Sequence, residues 1–385
     1  MIHVTKIDKI ETRILDIPTI RGHVLSMATM RTQTAVLVTI RFSDGSEGLG
    51  EGTTIGGLSY CAESPESIRS AIDVYIAPAL TGRDADDVNG ALQLIDKSVR
   101  GNNIAKTAVE IALWDGLGKR LGVSVSQLFG GAVHDRLPVA WTLASGNSDT
   151  DIAEAQQMIE TRRHNIFKLK IGKRTVREDV EHVARISQAL GDAASIRVDV
   201  NQAWSLAEAR WGLKGLQEIG CELVEQPVEA HDIAGMAELT RSHEIAVMAD
   251  EVLGGPEDAL TVAGARAADV FAVKVAQSGG LKRGAEVVAI AQAAGIGLYG
   301  GTMLETGLGT AAALQLFATV EKLHWGTEFF GPLLLTDEIL AEPIGYRDFC
   351  VEIPSGPGIG VTLDPDKVDY FSRDARRAIK AVAGE

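Results

Sequence analysis

Cysteine is scarce in this sequence, with only three in 385 residues: Cys61, Cys221 and Cys350. They lie far apart and form no CxxC pair, which argues against a disulfide framework or a thiolate zinc site and favours small core residues. No run approaches the roughly 18 apolar residues of a membrane helix, and the start MIHVTKIDKIETRILDIP does not resemble a signal peptide. We therefore expect a cytoplasmic protein with no membrane partner.

Basic residues are also in deficit, since 37 Lys and Arg stand against 52 Asp and Glu, a formal net charge of −15. This balance argues against nucleic acid or an anionic membrane surface as a partner. A complete GxGxxG is lacking as well. The segment GLGTAA at 307–312 is only part of that pattern, without an acidic residue about 20 positions later, so an NAD-dependent oxidoreductase is disfavoured.

The length and composition of the chain are typical of a globular protein with more than one domain. Two regions of the sequence differ in their pattern of apolar and polar residues. Residues 1–130 read as an α+β unit, because the strand-like TAVLVTIRF at 34–42 precedes a run of helical pattern. Ser64, Pro65 and Glu66 form a helix start signal, and the apolar stripe of 102–122 predicts a helix that ends at a glycine.

Short apolar strands alternate with amphipathic helical segments from about residue 138 onward, the pattern of βα units around a parallel sheet. We predict strands at 138–143, 166–171, 196–200, 222–226, 246–250, 270–275, 297–300 and 324–328. Eight parallel strands close into a TIM-like barrel, in which the chemistry lies at the carboxyl ends of the strands.

Acidic residues recur at these strand ends at nearly constant spacing. Asp199, Glu225, Asp250 and then Lys274 are separated by 26, 25 and 24 residues, about one βα unit each. A single acid at a strand end is more often a helix cap, but three in consecutive units would repel one another unless a proton or a cation neutralises them. Three carboxylates suit a hard divalent ion, Mn²⁺ or Mg²⁺.

Lysines accompany the acids at the same rim. In FKLKIG, Lys168 and Lys170 share one face of a strand; considered alone, they suit an exposed edge strand, but a closed barrel has no edge. A lysine beside a divalent ion and a second ammonium group has a lowered pKa and can serve as an acid or base. With Lys274 opposite and Glu328 on the last strand, the set suggests proton transfer at the carbon α to a carboxylate, with a metal-stabilised enediolate.

The motifs KLK (168–170), VDVNQ (198–202), VEQP (224–227), MADE (248–251), VKVAQSGG (273–280) and WGTE (325–328) resemble the muconate lactonizing subgroup of the enolase superfamily. Five further stretches resemble the muconate cycloisomerases of that subgroup: LDIPTIRGH, TTIGGLSY, VAWTLASG, GIGLYGGTMLET and FFGPLLLT. The resemblance covers nearly the whole chain.

This resemblance implies a (β/α)7β barrel with an α+β capping domain, divided as 1–130 (capping), 131–344 (barrel) and 345–385 (a segment returning to the cap), with loops near 19–33 and 51–62 closing over the site. The implied reaction is cycloisomerization of cis,cis-muconate to muconolactone in the catechol branch of the β-ketoadipate pathway, by a homo-octamer. By carry-over the metal ligands are Asp199, Glu225 and Asp250, the acid/base is Lys170, and its partners are Lys168, Lys274 and Glu328; the substrate pocket is lined by Ile55, Tyr60, Asn201 and Phe330.

Several alternatives remain open from the sequence. Racemase-like relatives use a histidine at the end of the seventh strand, where this chain has Tyr299, Gly300 and Gly301 instead. Dipeptide epimerases and o-succinylbenzoate synthases also have lysines on both sides of the barrel mouth, so the motifs alone do not exclude them. Chloromuconate cycloisomerase is the nearest competitor, because Gln277 stands where a lysine is expected for unsubstituted substrates. A barrel serving only as a scaffold is disfavoured, because all seven charged groups are present.

Overall fold

An N-terminal antiparallel sheet opens the chain in the computed structural model, which describes residues 4–24, 29–55, 58 and 60–374. Its strand order is β1-β2-β3, and the strands are Ile7–Val24 (β1), Thr29–Phe42 (β2) and Glu47–Thr54 (β3). β2 lies in the centre, with Val36 opposite Ile14 on one side and Gly52 on the other. Of the predicted closing loops, the one near 19–33 falls largely within β1 and β2, whereas the one near 51–62 begins in β3 and continues beyond it. Residues 25–28, 56, 57 and 59 lie outside the described residues.

Five helices follow this sheet: Pro65–Ser70 (α1), Ala77–Leu80 (α2), Val88–Ser98 (α3), Asn103–Leu121 (α4) and Val125–Leu128 (α5), with a π-helical turn at Ala71–Ile76 between the first two. The predicted helix start at Ser64 is confirmed, since its side chain accepts a hydrogen bond from the Ser67 backbone in a capping box. The predicted helix at 102–122 is also confirmed as α4, which ends at Gly122 in a left-handed conformation.

α4 lies directly on β3, and the glycines of that strand explain how closely. A Cβ added at Gly50 would lie 1.9 Å from the Ala108 carbonyl oxygen, and one added at Gly48 would lie 2.0 Å from that of Ala112. Only glycine permits this approach between the strand and the helix backbone.

A parallel sheet of seven strands forms the barrel, in the order β11-β10-β9-β8-β7-β6-β5. The strands are Trp141–Leu143 (β5), Ile166–Lys170 (β6), Ser195–Asp199 (β7), Leu223–Glu225 (β8), Ala246–Ala249 (β9), Val270–Val273 (β10) and Gly297–Gly300 (β11). The helices are Ser148–Glu160 (α6), Val176–Leu190 (α7), Leu206–Glu218 (α8), Ile233–Ser242 (α9), Pro256–Ala265 (α10), Val275–Ser278 (α11), Leu281–Ala294 (α12), Gly307–Phe317 (α13) and Gly331–Leu334 (α14), with a 3₁₀ turn at Gly191–Ala193 after α7.

The predicted eighth strand at 324–328 is wrong as a continuous strand. Only Thr327 pairs there, bridging Gly300 on one side and Val139 on the other, and so it joins the two edges of the sheet. Gly326 has a φ of +68°, which is incompatible with extended backbone at that residue. The barrel is therefore closed by a bridge of one residue, in agreement with the predicted barrel class.

The C-terminal region has two parts. Tyr346–Arg347 (β12) and Cys350–Glu352 (β13) form a small antiparallel sheet with Arg136–Pro138 (β4), just before the first barrel strand. Pro365–Phe371 (α15) then lies by the N-terminal sheet, where Ser372 bridges Leu15 and Arg373 donates to Asp16. None of the helices in the described part of the chain has the length and apolar composition of a membrane span.

Candidate active site

The register of the barrel strands brings the predicted charged residues into one row. Lys170 pairs with Asp199 across β6 and β7, and Asp199 pairs with Glu225 across β7 and β8. Asp250 and Lys274 each directly follow the next strands, β9 and β10. Because all these strands are parallel, their carboxyl ends share one rim of the barrel.

Lys168 lies at the centre of one side of this site. Its Nζ donates to Glu328 Oε2 at 2.5 Å and to Glu225 Oε2 at 2.8 Å, and it lies 3.5 Å from Asp199 Oδ2. Glu328 is fixed in turn by the Thr142 hydroxyl, which donates to its Oε1 at 2.8 Å. The buried ammonium group is thus held by three carboxylates at once.

Lys170 lies nearer the mouth, on the same face of β6. Its Nζ donates to Asp199 Oδ2 at 2.5 Å and to Asn201 Oδ1 at 3.3 Å. A cavity of about 190 Å³ adjoins it, lined also by Val24 and Lys173 among others. Lys170 is therefore the member of the pair that borders open space.

Lys274 approaches from the opposite side. Its Nζ donates to Asp250 Oδ2 at 2.6 Å and to the Tyr60 hydroxyl at 2.7 Å, and that hydroxyl donates to Asp250 Oδ2 at 3.1 Å. Tyr60 belongs to the N-terminal part of the chain, so the segment after β3 reaches the barrel mouth.

The carboxylates and lysines shift one another's protonation. Burial acts to lower the pKa of Lys168, but Glu225, Glu328 and Asp199 outweigh it and raise that pKa well above its usual value. Burial acts to raise the pKa of Asp199, yet Lys170 and Lys168 bring it down to about 2. The pKa of Glu225 is raised well above its usual value by burial and by Asp199. Burial and the neighbouring carboxylates therefore favour the protonated form of Glu225, whereas the lysines keep Asp199 ionised.

The donor atoms of this site suit a divalent cation, although their spacing in this structure does not form a metal site. Among the described residues no group of three or more His, Cys, Asp or Glu side chains converges closely enough to hold a metal ion. Lysine ammonium groups lie between the carboxylates instead. The buried Asp250 Oδ1 has no hydrogen-bond partner among these residues, and the carboxylates of Asp199, Glu225 and Asp250, at the ends of neighbouring strands, are the oxygen donors that Mg²⁺ and Mn²⁺ prefer. The donor set fits such a cation.

The four predicted pocket residues differ in how the structure places them. Tyr60 and Asn201 lie in the site, where they accept hydrogen bonds from Lys274 and Lys170 respectively. Phe330 is fully buried against Trp141, with ring centroids 4.9 Å apart, and follows Glu328 by two residues. Ile55 is buried just after β3. For all four residues a role in substrate contact stays a prediction.

Two residues that the sequence did not single out also belong to this region. Glu251 accepts from Asn201 Nδ2 at 3.1 Å, and burial together with Asp250 raises its pKa to about 8. His23 on β1 is buried, and its pKa is lowered well below the usual value by burial and then by nearby Lys170. The position of Glu251 next to Asp250 was a usable signal; for His23, on a strand of the other domain, the sequence offered none.

Comparison with known proteins gives consistent matches along the chain. Residues 9–130 match the family model "Mandelate racemase / muconate lactonizing enzyme, N-terminal domain", and residues 150–367 match "Enolase C-terminal domain-like". Muconate cycloisomerase 1-1 of Acinetobacter lwoffii is 54% identical over 368 residues, covering 96% of this chain and 97% of that one. Muconate cycloisomerase 1 of Pseudomonas putida is 51% identical, with 95% and 98% covered.

Two further similarities bear on function. The chloromuconate cycloisomerase CbnB of Cupriavidus necator is 44% identical, with 96% of this chain and 100% of that one covered. The solved muconate lactonizing enzyme of Pseudomonas fluorescens, complexed with muconolactone, superposes with a TM-score of 0.95 at 53% identity, covering 96% of this chain and 100% of that chain.

Proposed function

Because this chain belongs to the mandelate racemase / muconate lactonizing enzyme family of the enolase superfamily, we propose that it is an isomerase that converts cis,cis-muconate to muconolactone. The observation that carries this assignment is the identity of about half of all positions to muconate cycloisomerases over nearly the full length of both chains. The predicted family, barrel class and reaction are confirmed by the same comparisons.

The roles of individual residues extend this proposal. Asp199, Glu225 and Asp250 would hold a divalent cation, Mn²⁺ or Mg²⁺. When bound, the cation supplies positive charge that stabilises negative charge developing on a substrate carboxylate. Burial, and then the nearby Asp199 carboxylate, raises the pKa of Glu225, so a cation bound here would favour its ionised form.

Lys170 is the proposed proton donor. An oxygen of one substrate carboxylate bonds to a carbon of a C=C double bond. The electron pair of that double bond moves to its other carbon, which lies α to the second carboxylate. A proton from Lys170 Nζ then bonds to this α-carbon. The product therefore contains one new C–O bond and one added proton. The hydrogen bonds of Lys170 Nζ to Asp199 and Asn201, which direct its ammonium group at the barrel rim beside a proposed metal ligand, support this role.

Lys168 and Lys274 are proposed to act by charge. Lys168 is buried and held by Glu225 and Glu328, so it is an electrostatic partner rather than a proton donor. Lys274 faces the substrate from the other side, with Tyr60 and Asp250 fixing its direction. A dicarboxylate dianion between the two sides finds cationic groups at both ends.

A chlorinated muconate is the second candidate substrate, favoured by Gln277. This side chain donates to the carbonyls of Asp250 at 2.7 Å and of Leu253 at 3.1 Å, so it places a neutral amide where the resemblance predicted a lysine. The chloromuconate cycloisomerases are also similar to this chain over nearly full length. The catechol pathway, the cytoplasmic location and the octamer are proposals from family resemblance.

The test of the function is the ultraviolet absorbance of cis,cis-muconate with purified protein and Mn²⁺, since lactonization shortens the conjugated diene. We expect absorbance to fall, the fall to stop after chelation, and 3-chloromuconate to react more slowly. Faster loss of the chlorinated substrate would transfer the assignment to the chloromuconate enzymes. Absence of loss with either would overturn the proposal and leave dipeptides and o-succinylbenzoate precursors to be assayed.

A further inference from the structure

The segment that carries Lys274 does not cap its own helices. Lys274 is the residue before α11, and Gly280 is the residue before α12. Neither residue supplies a side-chain hydrogen bond to the free N–H groups of the helix that follows. The free N–H groups at the start of these helices therefore need acceptors from elsewhere in the protein.

Glu110 of α4 supplies the missing cap from the other domain. Its Oε1 accepts the backbone N–H of Lys282, in the first turn of α12, at 2.8 Å. The Trp114 Nε1 donates to the same oxygen at 2.9 Å and orients the carboxylate. Acceptors of this kind normally come from the residue preceding the helix.

Gly280 shows how tight this contact is. A Cβ added at Gly280 would lie 1.4 Å from Glu110 Oε2, and the residue has a φ of +128°. Both the space and the backbone conformation require glycine. The junction between α11 and α12 is therefore shaped around the Glu110 carboxylate.

Two more residues of α4 hold the same segment. Asn103 Nδ2 donates to the carbonyls of Gln277 at 3.0 Å and Gly254 at 2.9 Å. The Thr107 hydroxyl lies 2.8 Å from the Asn103 carbonyl of its own helix and 3.2 Å from the carbonyls of both Val275 and Ala276. Asn103, Thr107 and Glu110 are four and then three residues apart, so they share one side of the helix, here called the α4 polar face.

The same segment also contacts the reaction site, so the position in which α4 holds it affects that site. The Gln277 side chain donates to the Asp250 carbonyl at 2.7 Å, while Lys274 Nζ donates to Asp250 Oδ2 at 2.6 Å. A shift of the segment away from the α4 polar face would therefore move Lys274 relative to Asp250.

We propose that Glu110 is a positioning residue for the reaction: by capping α12 from the N-terminal domain, it holds Lys274 in the orientation that faces the substrate. This inference rests on the proposed function. Burial raises the pKa of Glu110 to about 7, which shows that the carboxyl group gives up solvation to occupy this place.

The test compares three variants by steady-state kinetics with cis,cis-muconate and Mn²⁺. Glu110→Ala removes the cap, and we expect kcat to fall about 10- to 100-fold with KM changed less than about threefold. Glu110→Gln keeps an acceptor oxygen at the same place, and kcat should remain within about threefold of wild type. Equal kcat for Glu110→Ala and wild type overturns the proposal.

Asp115→Asn is the matched control, because Asp115 is on the same helix and equally buried. Its carboxylate accepts from the backbone N–H groups of Leu49 and Ile359 rather than from the Lys274 segment. We expect this variant to lower the melting temperature without the fall in kcat. A fall in kcat equal to that of Glu110→Ala would reduce Glu110 to a general structural role and overturn the proposal.

Hydrogen–deuterium exchange separates this inference from the proposed function, because it needs no turnover. In Glu110→Ala the amides of residues 275–284 should exchange at least about tenfold faster than in wild type, while Asp115→Asn leaves them unchanged. Unchanged exchange in Glu110→Ala overturns the positioning role. Faster exchange in a protein that does not convert muconate would instead overturn the assigned substrate and keep the contact.

Discussion

At the scale of single residues, charge balance is the main feature of the barrel mouth. Lys168, Lys170 and Lys274 are each paired with a carboxylate, yet Glu225 and Glu251 both have raised pKa values. Buried charges are stable only when they are compensated, so the excess of carboxyl groups is neutralised either by protons, which the raised pKa values favour, or by a bound cation. The proposed metal ion would supply positive charge of this kind at the barrel mouth.

Lys170→Ala should abolish lactonization while leaving metal affinity largely intact. Removal of the proton donor costs about 10²- to 10⁴-fold in kcat, whereas the three carboxylates are unchanged. The measurement pairs the muconate absorbance assay with Mn²⁺ titration by calorimetry. Lys173→Ala, an exposed lysine beside the same cavity, is the control and should retain activity. Retained activity in Lys170→Ala would remove Lys170 from its proposed role.

Asp250→Asn should weaken Mn²⁺ binding and turnover together. The amide has lost the negative charge that attracts the cation, and it leaves the Lys274 ammonium group without its carboxylate. We expect at least about a tenfold weaker Kd for Mn²⁺ by calorimetry. Wild-type metal affinity in this variant would show that the cation binds elsewhere.

At the scale of elements, α4 connects the two domains. One side of it lies on the glycines of β3, and the α4 polar face holds the barrel segment after β10. The position of the N-terminal sheet therefore determines, through α4, where the barrel segment after β10 lies. Its length of 19 residues provides both contacts within a single rigid element.

Gly50→Ala should strongly destabilise the protein, because the new methyl group would overlap the Ala108 carbonyl oxygen. We expect a loss of about 3 kcal/mol in the free energy of unfolding, measured by urea denaturation. Gly264→Ala in α10 is the control, since a Cβ there meets no atom within 4 Å, and it should be neutral or stabilising by about 0.5 kcal/mol. Equal stability of the two variants would contradict the tight packing of α4 on β3.

At the scale of the whole molecule, buried carboxyl groups at the start of α13 join the N-terminal sheet to the barrel. Glu51 on β3 accepts from the backbone N–H groups of Thr306 and Gly309 at 2.9 and 2.8 Å. Glu338 accepts from that of Gly307 at 2.8 Å. Burial, with nearby Glu51, raises the pKa of Glu338 to about 7.

This raised pKa predicts a pH-dependent stability. The folded state favours protonated Glu338, so its contribution is full below the unfolded pKa of 4.5 and is lost as pH rises through about 7. Glu338→Gln removes the titration. Between pH 5 and pH 8, the difference in unfolding free energy between variant and wild type should shift in favour of the variant by about 2 kcal/mol. Urea denaturation at both values measures it.

The exposed Glu342 provides the matching control, since Glu342→Gln should leave the pH profile of stability as it is in wild type. A parallel pH dependence in wild type and Glu338→Gln would assign the effect to other groups.

Four charged residues of the rim, Asp199, Glu225, Asp250 and Lys274, were predictable because each ends or follows a short apolar strand and they recur about one βα unit apart. In parallel strands, local pattern alone fixes which end of each strand faces the site, so the amino-acid pattern was enough to place Asp199, Glu225, Asp250 and Lys274 together. The two helix signals at Ser64 and Gly122 were equally local.

Contacts between distant segments, by contrast, arise from packing in three dimensions. The barrel closes at Thr327 alone, and His23, Glu110 and Tyr60 reach the barrel from the N-terminal domain. The contacts of His23, Glu110 and Tyr60 join residues more than 100 positions apart, and no periodic pattern in the sequence marks them, because packing in three dimensions imposes no fixed spacing along the chain. Local pattern was therefore sufficient for the fold class and the charged rim, whereas the packing of α4 and β1 on the barrel determines how that rim is held.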